Sequence, residues 1–207
     1  MTILALEFSS SQRSAAVGHE GNVAEAIETG GHGTSAFRLI GGALASAGVE
    51  REQIEVIAVG LGPGSYTGIR VAVSLAQGWQ VARGVKLLGV SSAECLAAQA
   101  QTEGIFGRVG VVIDAQRREF YLATWEISET ARREIAPLKI VPASEVEARL
   151  KAGEICVGPS AGKILYPRAA TILALARGRS DFISGQKLEP VYLRATNFVK
   201  APPARKF

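Results

Sequence analysis

The chain has 207 residues, of which 47% are hydrophobic and 20% are charged, and its formal net charge is +4. This length and composition allow a buried core in one large domain or two small lobes, and they exclude a disordered polyampholyte. The mild positive charge permits contact with RNA without demonstrating it, because many soluble enzymes carry the same excess. Two cysteines, Cys95 and Cys156, are too few for a disulfide framework or a zinc site, and their apolar neighbours predict buried, unreactive thiols.

The beginning of the sequence, "MTILALEF", has neither a basic segment nor a small-residue cleavage site, so it does not resemble a signal peptide. No apolar run reaches the roughly 18 residues that a membrane span requires. We therefore expect a soluble, cytoplasmic protein that does not bind membranes.

Three predicted strands open the chain, because turn signals separate short apolar segments. Pairing through such turns is antiparallel, which disfavours a classical dinucleotide-binding fold, where a helix follows the first strand. Helices and strands then alternate, so the predicted order is β-β-β-α-β-α-β-α. Thr34 or Ser35 is placed to cap the first helix at its start, and Gly48 at its end. The predicted segments are residues 3–8, 14–20, 23–28, 34–47, 54–60, 68–83, 86–90 and 91–101.

A connection at residues 102–108 separates this part from a second half that contains less predicted helix. We expect a hairpin there, followed by a helix, a strand, a helix and an extended end, with a loose basic tail that includes Arg205 and Lys206. Because both halves begin with antiparallel strands, the sequence predicts a duplicated architecture with lobes at 1–103 and 104–207. The predicted segments are residues 109–115, 119–127, 143–153, 154–158, 167–178 and 190–198.

The stretch "GLGPGSYTGIRVAVSLAQG", residues 60–78, carries four glycines and a proline in nine residues immediately before an apolar helix. Such a loop is able to cradle an anion at the helix N-terminus, with Ser65 or Thr67 as its cap. It is not a P-loop, because the Gly-Lys-Ser/Thr sequence is missing, and it is not a Gly-x-Gly-x-x-Gly fingerprint. The alternative is a tight strand-to-helix corner with a purely structural role.

This stretch, with "LLGVSSAECLA" after it, resembles the TsaB (YeaZ) family, and the match extends over most of the chain. "ILALEFSS", "GHGTSAFRLIGGAL", "VVIDAQRREFY" and "PVYLR" follow the family's order. The resemblance implies an α/β, two-lobed ASKHA fold (actin/hexokinase/Hsp70-like) with a reduced second lobe. It also implies a function in making threonylcarbamoyladenosine at position 37 of tRNAs that read ANN codons. The partners implied are TsaD, which transfers the threonylcarbamoyl group, the ATPase TsaE and the product of TsaC.

The resemblance further implies that this chain is not itself an enzyme. TsaD holds a metal with two histidines that have three residues between them, and the matching positions here are Ser92 and Leu96. A serine and a leucine do not make such a site, and the only histidines, His19 and His32, lie far upstream. We therefore expect no catalytic residue, no metal and no cofactor of its own, with room for ATP or ADP at the junction with its partner.

Two carboxylates stand where related ATPases handle a metal-bound nucleotide. Glu7 replaces the usual aspartate at the end of the first strand, and its extra methylene disfavours Mg²⁺ geometry. Asp114 is either the matching carboxylate of the second lobe or a residue that begins a turn. Arg70 either bridges to a partner or phosphate or only extends along the surface, and His32 is either a functional or a turn residue. The candidate nucleotide or anion contacts are Glu7, Ser9, Gly62, Gly64, Ser65, Arg70 and Asp114.

Small residues recur at helical spacing in the first two predicted helices, where they would let a partner's helices approach closely. The alternative is that both helices only cover their own sheet. We expect one surface to serve both a homodimer of the free protein and the heterodimer with TsaD. The candidate interface residues are Ala36, Ile40, Ala43, Ala47, Ile69, Ala72, Val73, Ala76 and Gln80.

The sequence leaves two enzymatic alternatives to a scaffold that activates TsaD and helps to recruit TsaE. One is an ASKHA-type nucleotide-dependent small-molecule kinase, which Glu7 and the short second lobe disfavour. The other is a residual peptidase with Ser65 or Ser9 as nucleophile, which the absence of a Gly-x-Ser-x-Gly elbow disfavours. We expect tRNA to be reached indirectly through the complex, although Arg117 and Arg118 in a predicted turn could help to present it.

Overall fold

A computed structural model describes residues 1–30 and 35–193, and within them it forms two five-stranded sheets. The first sheet contains β1 (Ile3–Glu7), β2 (Gln12–His19), β3 (Asn22–Thr29), β4 (Val56–Gly60) and β5 (Lys86–Val90). The second contains β6 (Gly107–Asp114), β7 (Glu119–Ile127), β8 (Arg132–Pro142), β9 (Ile155–Gly158) and β10 (Lys163–Ile164). The fold is therefore mixed α/β, as predicted.

Five α-helices connect and cover the sheets in the described part of the chain. They are α1 (Ala36–Ala47), α2 (Tyr66–Arg83), α3 (Ser92–Thr102), α4 (Ala143–Lys151) and α5 (Ala169–Ala176). Ser35 caps α1 by accepting a hydrogen bond from the Arg38 amide, and the left-handed Gly48 ends it, which confirms the predicted caps. No helix among these described residues is long and apolar enough to cross a bilayer.

The two sheets share one topology. Their strand orders are β3-β2-β1-β4-β5 and β8-β7-β6-β9-β10, and in each an antiparallel meander of three strands continues into two parallel strands. This confirms the predicted duplication. The second copy is reduced, because β10 has only two residues and no described helix connects β9 to β10. The counterpart of α2 is therefore missing from the second lobe.

The layers do not follow the order of the chain, because the two lobes exchange helices. Helices α1 and α2 cover one face of the first sheet, and α4 packs on the second sheet. Between the sheets, α3 from the first half packs on the second sheet, whereas α5 from the second half packs on the first. Residues 103 and 104 thus separate the two sheets but do not separate two packing units.

Buried polar side chains hold the exchanged helix α5 in place. The Ser14 hydroxyl of β2 accepts a hydrogen bond of 2.8 Å from the Ala169 amide, and Glu25 of β3 accepts one of 3.0 Å from Ala170. On the other side, the Gln99 amide of α3 donates to the Tyr166 carbonyl at 2.9 Å. Since α5 has no capping side chain of its own, the first sheet supplies the acceptors that its N-terminus needs.

The second lobe contains two strands that the sequence did not reveal, β8 and the two-residue β10. Strand β8 pairs with β7 at the edge of the sheet, with register shifts between Leu122 and Trp125, and its side chains are mostly exposed. Its charged residues and Pro137 suit an edge strand and obscure the apolar alternation that would have identified it. The predicted extended end is described only to Leu193, outside any strand. His32, Thr34 and the basic tail lie outside the described residues.

Removing the Ser14 hydroxyl tests the anchoring of α5. We expect Ser14→Ala to lower the free energy of unfolding by about 1–3 kcal/mol, because the buried Ala169 amide would lose its acceptor. Urea denaturation measures this change. Ser46→Ala, on the exposed side of α1, is the matched control and should change stability by less than about 0.5 kcal/mol. Equal effects of the two substitutions would contradict the anchoring role.

Candidate functional site

The loop between β4 and α2, residues 61–65, is a corner to which three distant segments are hydrogen-bonded. The Ser65 amide donates to the Ser9 carbonyl at 2.6 Å, the Ser92 amide to the Gly62 carbonyl at 2.7 Å, and the Val191 amide to the Leu61 carbonyl at 2.9 Å. The loop after β1, the start of α3 and the C-terminal segment therefore meet at this corner. The corner therefore fixes the positions of these three segments relative to one another.

Glycine is required in this corner because backbone passes close to backbone. A Cβ atom on Gly68 would lie 2.0 Å from the Phe8 carbonyl oxygen, and one on Gly64 would lie 2.2 Å from the Ser9 carbonyl oxygen. Neither oxygen belongs to a side chain that could move away. Ser65 caps α2 by accepting from the Gly68 amide at 3.3 Å. The corner is thus a tightly packed turn, and its outer side remains available for binding.

Glu7 belongs to a buried polar network behind the corner. Its Oε1 accepts from the Ser9 amide at 2.6 Å, and its Oε2 accepts from the Ser92 hydroxyl at 3.1 Å. The Ser92 and Ser9 hydroxyl oxygens lie 2.9 Å apart. A Cβ on Gly60 would lie 2.0 Å from Glu7 Oε2, so the glutamate fits only because residue 60 is glycine. Burial raises the pKa of the Glu7 carboxyl, although hydrogen bonds from Ser9 and Ser92 oppose this shift.

A cleft of about 660 Å³ lies between the lobes, in front of the corner. Four of the predicted anion contacts line it: Ser9, Gly64, Ser65 and Asp114. Asp114 accepts two hydrogen bonds of 2.8 Å from Gln116, one from its amide and one from its side chain, so it does shape the β6–β7 turn. It also faces the cleft. Both interpretations of this carboxylate are therefore compatible with its position.

Three predicted contacts do not line the cleft. Glu7 and Gly62 are buried behind its wall, because the Glu7 side chain turns towards α3 instead of the opening. Arg70 is exposed on α2, where its guanidinium donates to the Tyr66 hydroxyl and stacks 5.1 Å from the centre of that ring. Tyr66 in turn lies 6.0 Å from the ring of Tyr192, so Arg70 belongs to an aromatic patch at the cleft's rim.

Arg13 lines the cleft and was missed by the sequence analysis. Its side chain is only 8% exposed. The signal that could have revealed it is a charged residue followed directly by the buried run "SAAV" of β2. A buried arginine in a strand needs a reason, because charged groups are rarely buried without a partner.

The predicted interface residues lie on α1 and α2, but most of them face the core of the protein instead of solvent. Together with the first sheet, α1 and α2 form the main core of the protein. Six of the predicted interface residues are buried in that core: Ile40, Ala43, Ile69, Ala72, Val73 and Ala76. Since each helix needs an apolar side for its own sheet, these residues are already used within the chain.

The other three predicted interface residues are also partly occupied within the chain. Ala36 and Ala47 are half-buried against the same core. The Gln80 side chain accepts from the Gly185 amide at 2.7 Å and donates to the Val85 carbonyl at 3.2 Å. It therefore holds the C-terminal segment against α2.

The exposed side of α1 and α2 forms a groove of about 570 Å³. Phe37 stands at one end with 74% of its surface exposed, and Trp79 lies half-buried in the groove. Gly41, Ser74 and Gly78 keep the groove open, because they have small side chains or none. We call these five residues the helix face.

Comparison with known proteins agrees with this geometry. Residues 10–171 match the model of the family described as TsaD: tRNA N6-adenosine threonylcarbamoyltransferase. The "tRNA threonylcarbamoyladenosine biosynthesis protein TsaB" of Escherichia coli K12 is 27% identical, with full coverage of both chains. The solved structure of YeaZ from Pseudomonas aeruginosa superposes with a TM-score of 0.80 at 27% identity, covering 93% of this chain and 99% of that one. The chain belongs to this family, in its TsaB (YeaZ) branch.

The TsaB-family assignment confirms the two-lobed ASKHA fold. Another relative, the Haemophilus influenzae protein of the same name, is 26% identical over all of this chain and 99% of its own. Ser92 and Leu96, which the resemblance matches to the metal histidines of TsaD, both lie within the core of this TsaB-family chain. Leu96 packs against the second sheet, and the Ser92 hydroxyl is bonded to Glu7. The described residues contain no cluster of three or more His, Cys, Asp or Glu side chains suited to a metal.

Both cysteines of the TsaB-family chain are buried and free, as expected. Burial raises the pKa of the Cys95 thiol, with a smaller contribution from the Glu7 charge, and burial also raises the pKa of the Cys156 thiol. Because the thiolate is the reactive form, both raised values favour inert thiols at neutral pH.

Two glycines of α2 test the packing of the corner. We expect Gly68→Ala to lower the free energy of unfolding by roughly 1–3 kcal/mol or more, because the new methyl would overlap the Phe8 carbonyl. Gly78→Ala is the matched control on the exposed side, where a Cβ meets nothing within 4 Å. It should stabilise α2 by about 0.5–1 kcal/mol. Urea denaturation of both variants measures the difference, and a neutral Gly68→Ala would refute the close approach.

Glu7 makes stability depend on pH. Its pKa is higher in the folded than in the unfolded chain, so folding favours the protonated form, and the stability that Glu7 contributes declines as pH rises from its unfolded pKa through its folded one. We therefore expect Glu7→Gln to match the wild type below about pH 4, close to the unfolded value, and to gain in relative stability above it. Urea denaturation at a series of pH values measures the difference in unfolding free energy between Glu7→Gln and the wild type. A difference that does not change with pH would contradict the raised pKa of Glu7.

Proposed function

We propose that this chain is a non-catalytic scaffold required for threonylcarbamoyl transfer to adenosine 37 of ANN-decoding tRNAs. It acts by binding and activating TsaD and by supporting the recruitment of TsaE. The names of its full-length relatives, as proteins of threonylcarbamoyladenosine biosynthesis, and its match to the transferase family model support this proposal. In it, tRNA and any ATP or ADP are reached through the complex.

The single observation that supports a non-catalytic role most directly is that Ser92 and Leu96 have structural roles in the interior of the protein. Both are fully buried, one in a hydrogen-bonded network and the other in an apolar core. Neither supplies the nitrogen ligands that the catalytic relative requires. The chain's contribution to the reaction is therefore assigned to its surface.

The helix face is the surface that best fits the partner TsaD. An exposed aromatic anchor, Phe37, beside an open groove of small residues is typical of a protein-binding site, where buried aromatic side chains dominate affinity. Val81, which is 89% exposed, adds apolar surface one helical turn beyond Gly78. Because both helices belong to the first lobe's core, this face is rigid before binding, which lowers the entropic cost of association. The same face would pair two copies when TsaD is absent.

Reconstitution tests the proposed function. With purified TsaC, TsaD, TsaE, tRNA, threonine, bicarbonate and ATP, we expect threonylcarbamoyladenosine to form only when this chain is added. The modified nucleoside is measured by mass spectrometry of digested tRNA. Formation of the product without this chain, or by this chain without TsaD, would disprove the scaffold role.

Arginine substitutions on the helix face test where TsaD binds. We expect Ser74→Arg or Gly78→Arg to weaken binding at least about tenfold, because a bulky charge would be buried in the interface without a partner. Sedimentation velocity of mixtures with TsaD measures the heterodimer. Ser144→Arg, exposed on α4 of the other lobe, is the matched control and should bind normally. Undiminished binding by both helix-face variants would exclude this face.

A further inference from the structure

The turn between β6 and β7 has a backbone conformation that residues with side chains disfavour. Gln116, Arg117 and Arg118 have φ angles of 64°, 59° and 61°, so three consecutive residues other than glycine are left-handed. A Cβ atom makes this conformation unfavourable, and glycine is the usual residue where a chain adopts it. Because strained residues of this kind cluster at functional sites, the side chains at these positions call for a functional explanation.

The surrounding structure holds this turn in one conformation. The Glu119 amide donates to the Gln116 carbonyl at 3.1 Å, and the Ala143 amide at the start of α4 donates to the Arg118 carbonyl at 3.0 Å. Asp114 accepts two further hydrogen bonds of 2.8 Å from Gln116, one from its amide and one from its side chain. These contacts give the Gln116 side chain a structural role, but they use only the backbone of the arginine that they include.

The side chains of Arg117 and Arg118 are exposed. Neither guanidinium has a hydrogen bond or an ion pair within the described part of the chain. Gln116 lines the cleft between the lobes, whereas the two arginines do not, so they face solvent outside it. No large apolar side chain of residues 114–121 is exposed. The turn therefore presents two adjacent cations on a fixed backbone, without an apolar anchor beside them.

We propose that Arg117 and Arg118 bind backbone phosphates of tRNA while the chain is part of its complex with TsaD. Arginine suits this contact, because its planar guanidinium donates two parallel hydrogen bonds to one phosphate group. Such contacts position a nucleic acid without reading its sequence. The inference rests on the proposed function, which supplies tRNA as the RNA, and it goes further by placing a tRNA contact on this chain itself.

An RNA backbone fits these observations better than an acidic segment of a partner protein. Arginines that dominate protein interfaces typically lie in well-packed, desolvated pockets, and residues 114–121 expose no large apolar side chain that could form one. Arginine contacts to RNA phosphates are effective at an exposed surface, because binding releases counterions condensed on the RNA. The formal net charge of +4 also favours a polyanionic partner.

Fluorescence anisotropy of labelled tRNA, titrated with an equimolar mixture of this chain and TsaD, tests the contact. We expect the double variant Arg117→Gln, Arg118→Gln to bind tRNA more weakly than the wild type. Between about 50 and 200 mM salt, the slope of log K against log salt should become shallower by roughly 1.4–1.8, since each phosphate contact contributes about 0.7–0.9. Arg133→Gln with Arg177→Gln removes two exposed arginines elsewhere and is the matched control, with affinity and slope unchanged.

Stability and TsaD binding separate this contact from other roles of the two arginines. Arg117→Gly with Arg118→Gly should raise the Tm, because glycine adopts the left-handed conformation without strain, and should weaken tRNA binding as the glutamine variant does. A lower Tm of the glycine variant, loss of TsaD binding by the glutamine variant in sedimentation velocity, or a control that weakens tRNA binding equally would each overturn the proposal. So would a glutamine variant with the affinity and salt slope of the wild type.

Failure of the proposed function is distinguishable from failure of this inference. If the wild-type chain does not bind TsaD, the proposed function is wrong, and the free chain at about 50 mM salt then gives the same comparison of tRNA affinities. Weaker tRNA binding by the free glutamine variant than by the free wild type and the control would support the contact. Equal binding by all three would overturn it.

Discussion

The hydrogen bonds that join the 61–65 corner to three other segments are the constraint on which this structure depends. Through Ser9, Ser92 and Val191, the corner connects the end of β1, the start of α3 and the C-terminal segment. Each of these bonds is made by backbone donors and carbonyls, so it depends on how closely the chain can approach, not on the chemistry of a side chain. Glycine at positions 64 and 68 permits that approach. The density of glycine in this short stretch thus follows from packing first and from binding second.

The corner also affects how the two lobes are arranged, because α3 and α5 each pack on the sheet of the other lobe. Because α3 starts at the corner and packs on the second sheet, the corner positions one lobe relative to the other. In return, α5 packs on the first sheet and is held by Ser14 and Glu25. The cleft lies between lobes joined by these reciprocal contacts. Its walls therefore belong to elements that the core of the protein holds in place.

The order of elements was predictable from the sequence, whereas the use of each side chain was less so. Apolar periodicity and turn residues identified the first eight elements in order, because those signals are local. Strand β8 escaped, since an exposed edge strand needs no apolar alternation. The same limit applies to α1 and α2, where small residues face both the core and the solvent, so that Ala72 and Ser74 cannot be assigned to opposite sides by size alone. The position of Arg13 in the cleft could not be predicted from local sequence signals, because residues from distant parts of the chain line that cleft.

The two departures from the pattern of catalytic relatives meet in one hydrogen bond. By the family resemblance, Glu7 matches a shorter aspartate and Ser92 matches a histidine; here the Ser92 hydroxyl donates to Glu7 Oε2 at 3.1 Å. The longer carboxylate reaches α3 because Gly60 leaves space for it and because serine, unlike histidine, occupies little volume. A carboxylate satisfied in this way is turned away from the cleft, so the cleft's charge is set by Arg13 and Asp114 instead. Glu7 and Ser92 thus join the end of β1 to the start of α3, and they leave Arg13 and Asp114 as the charged side chains that line the cleft in the described part of the chain.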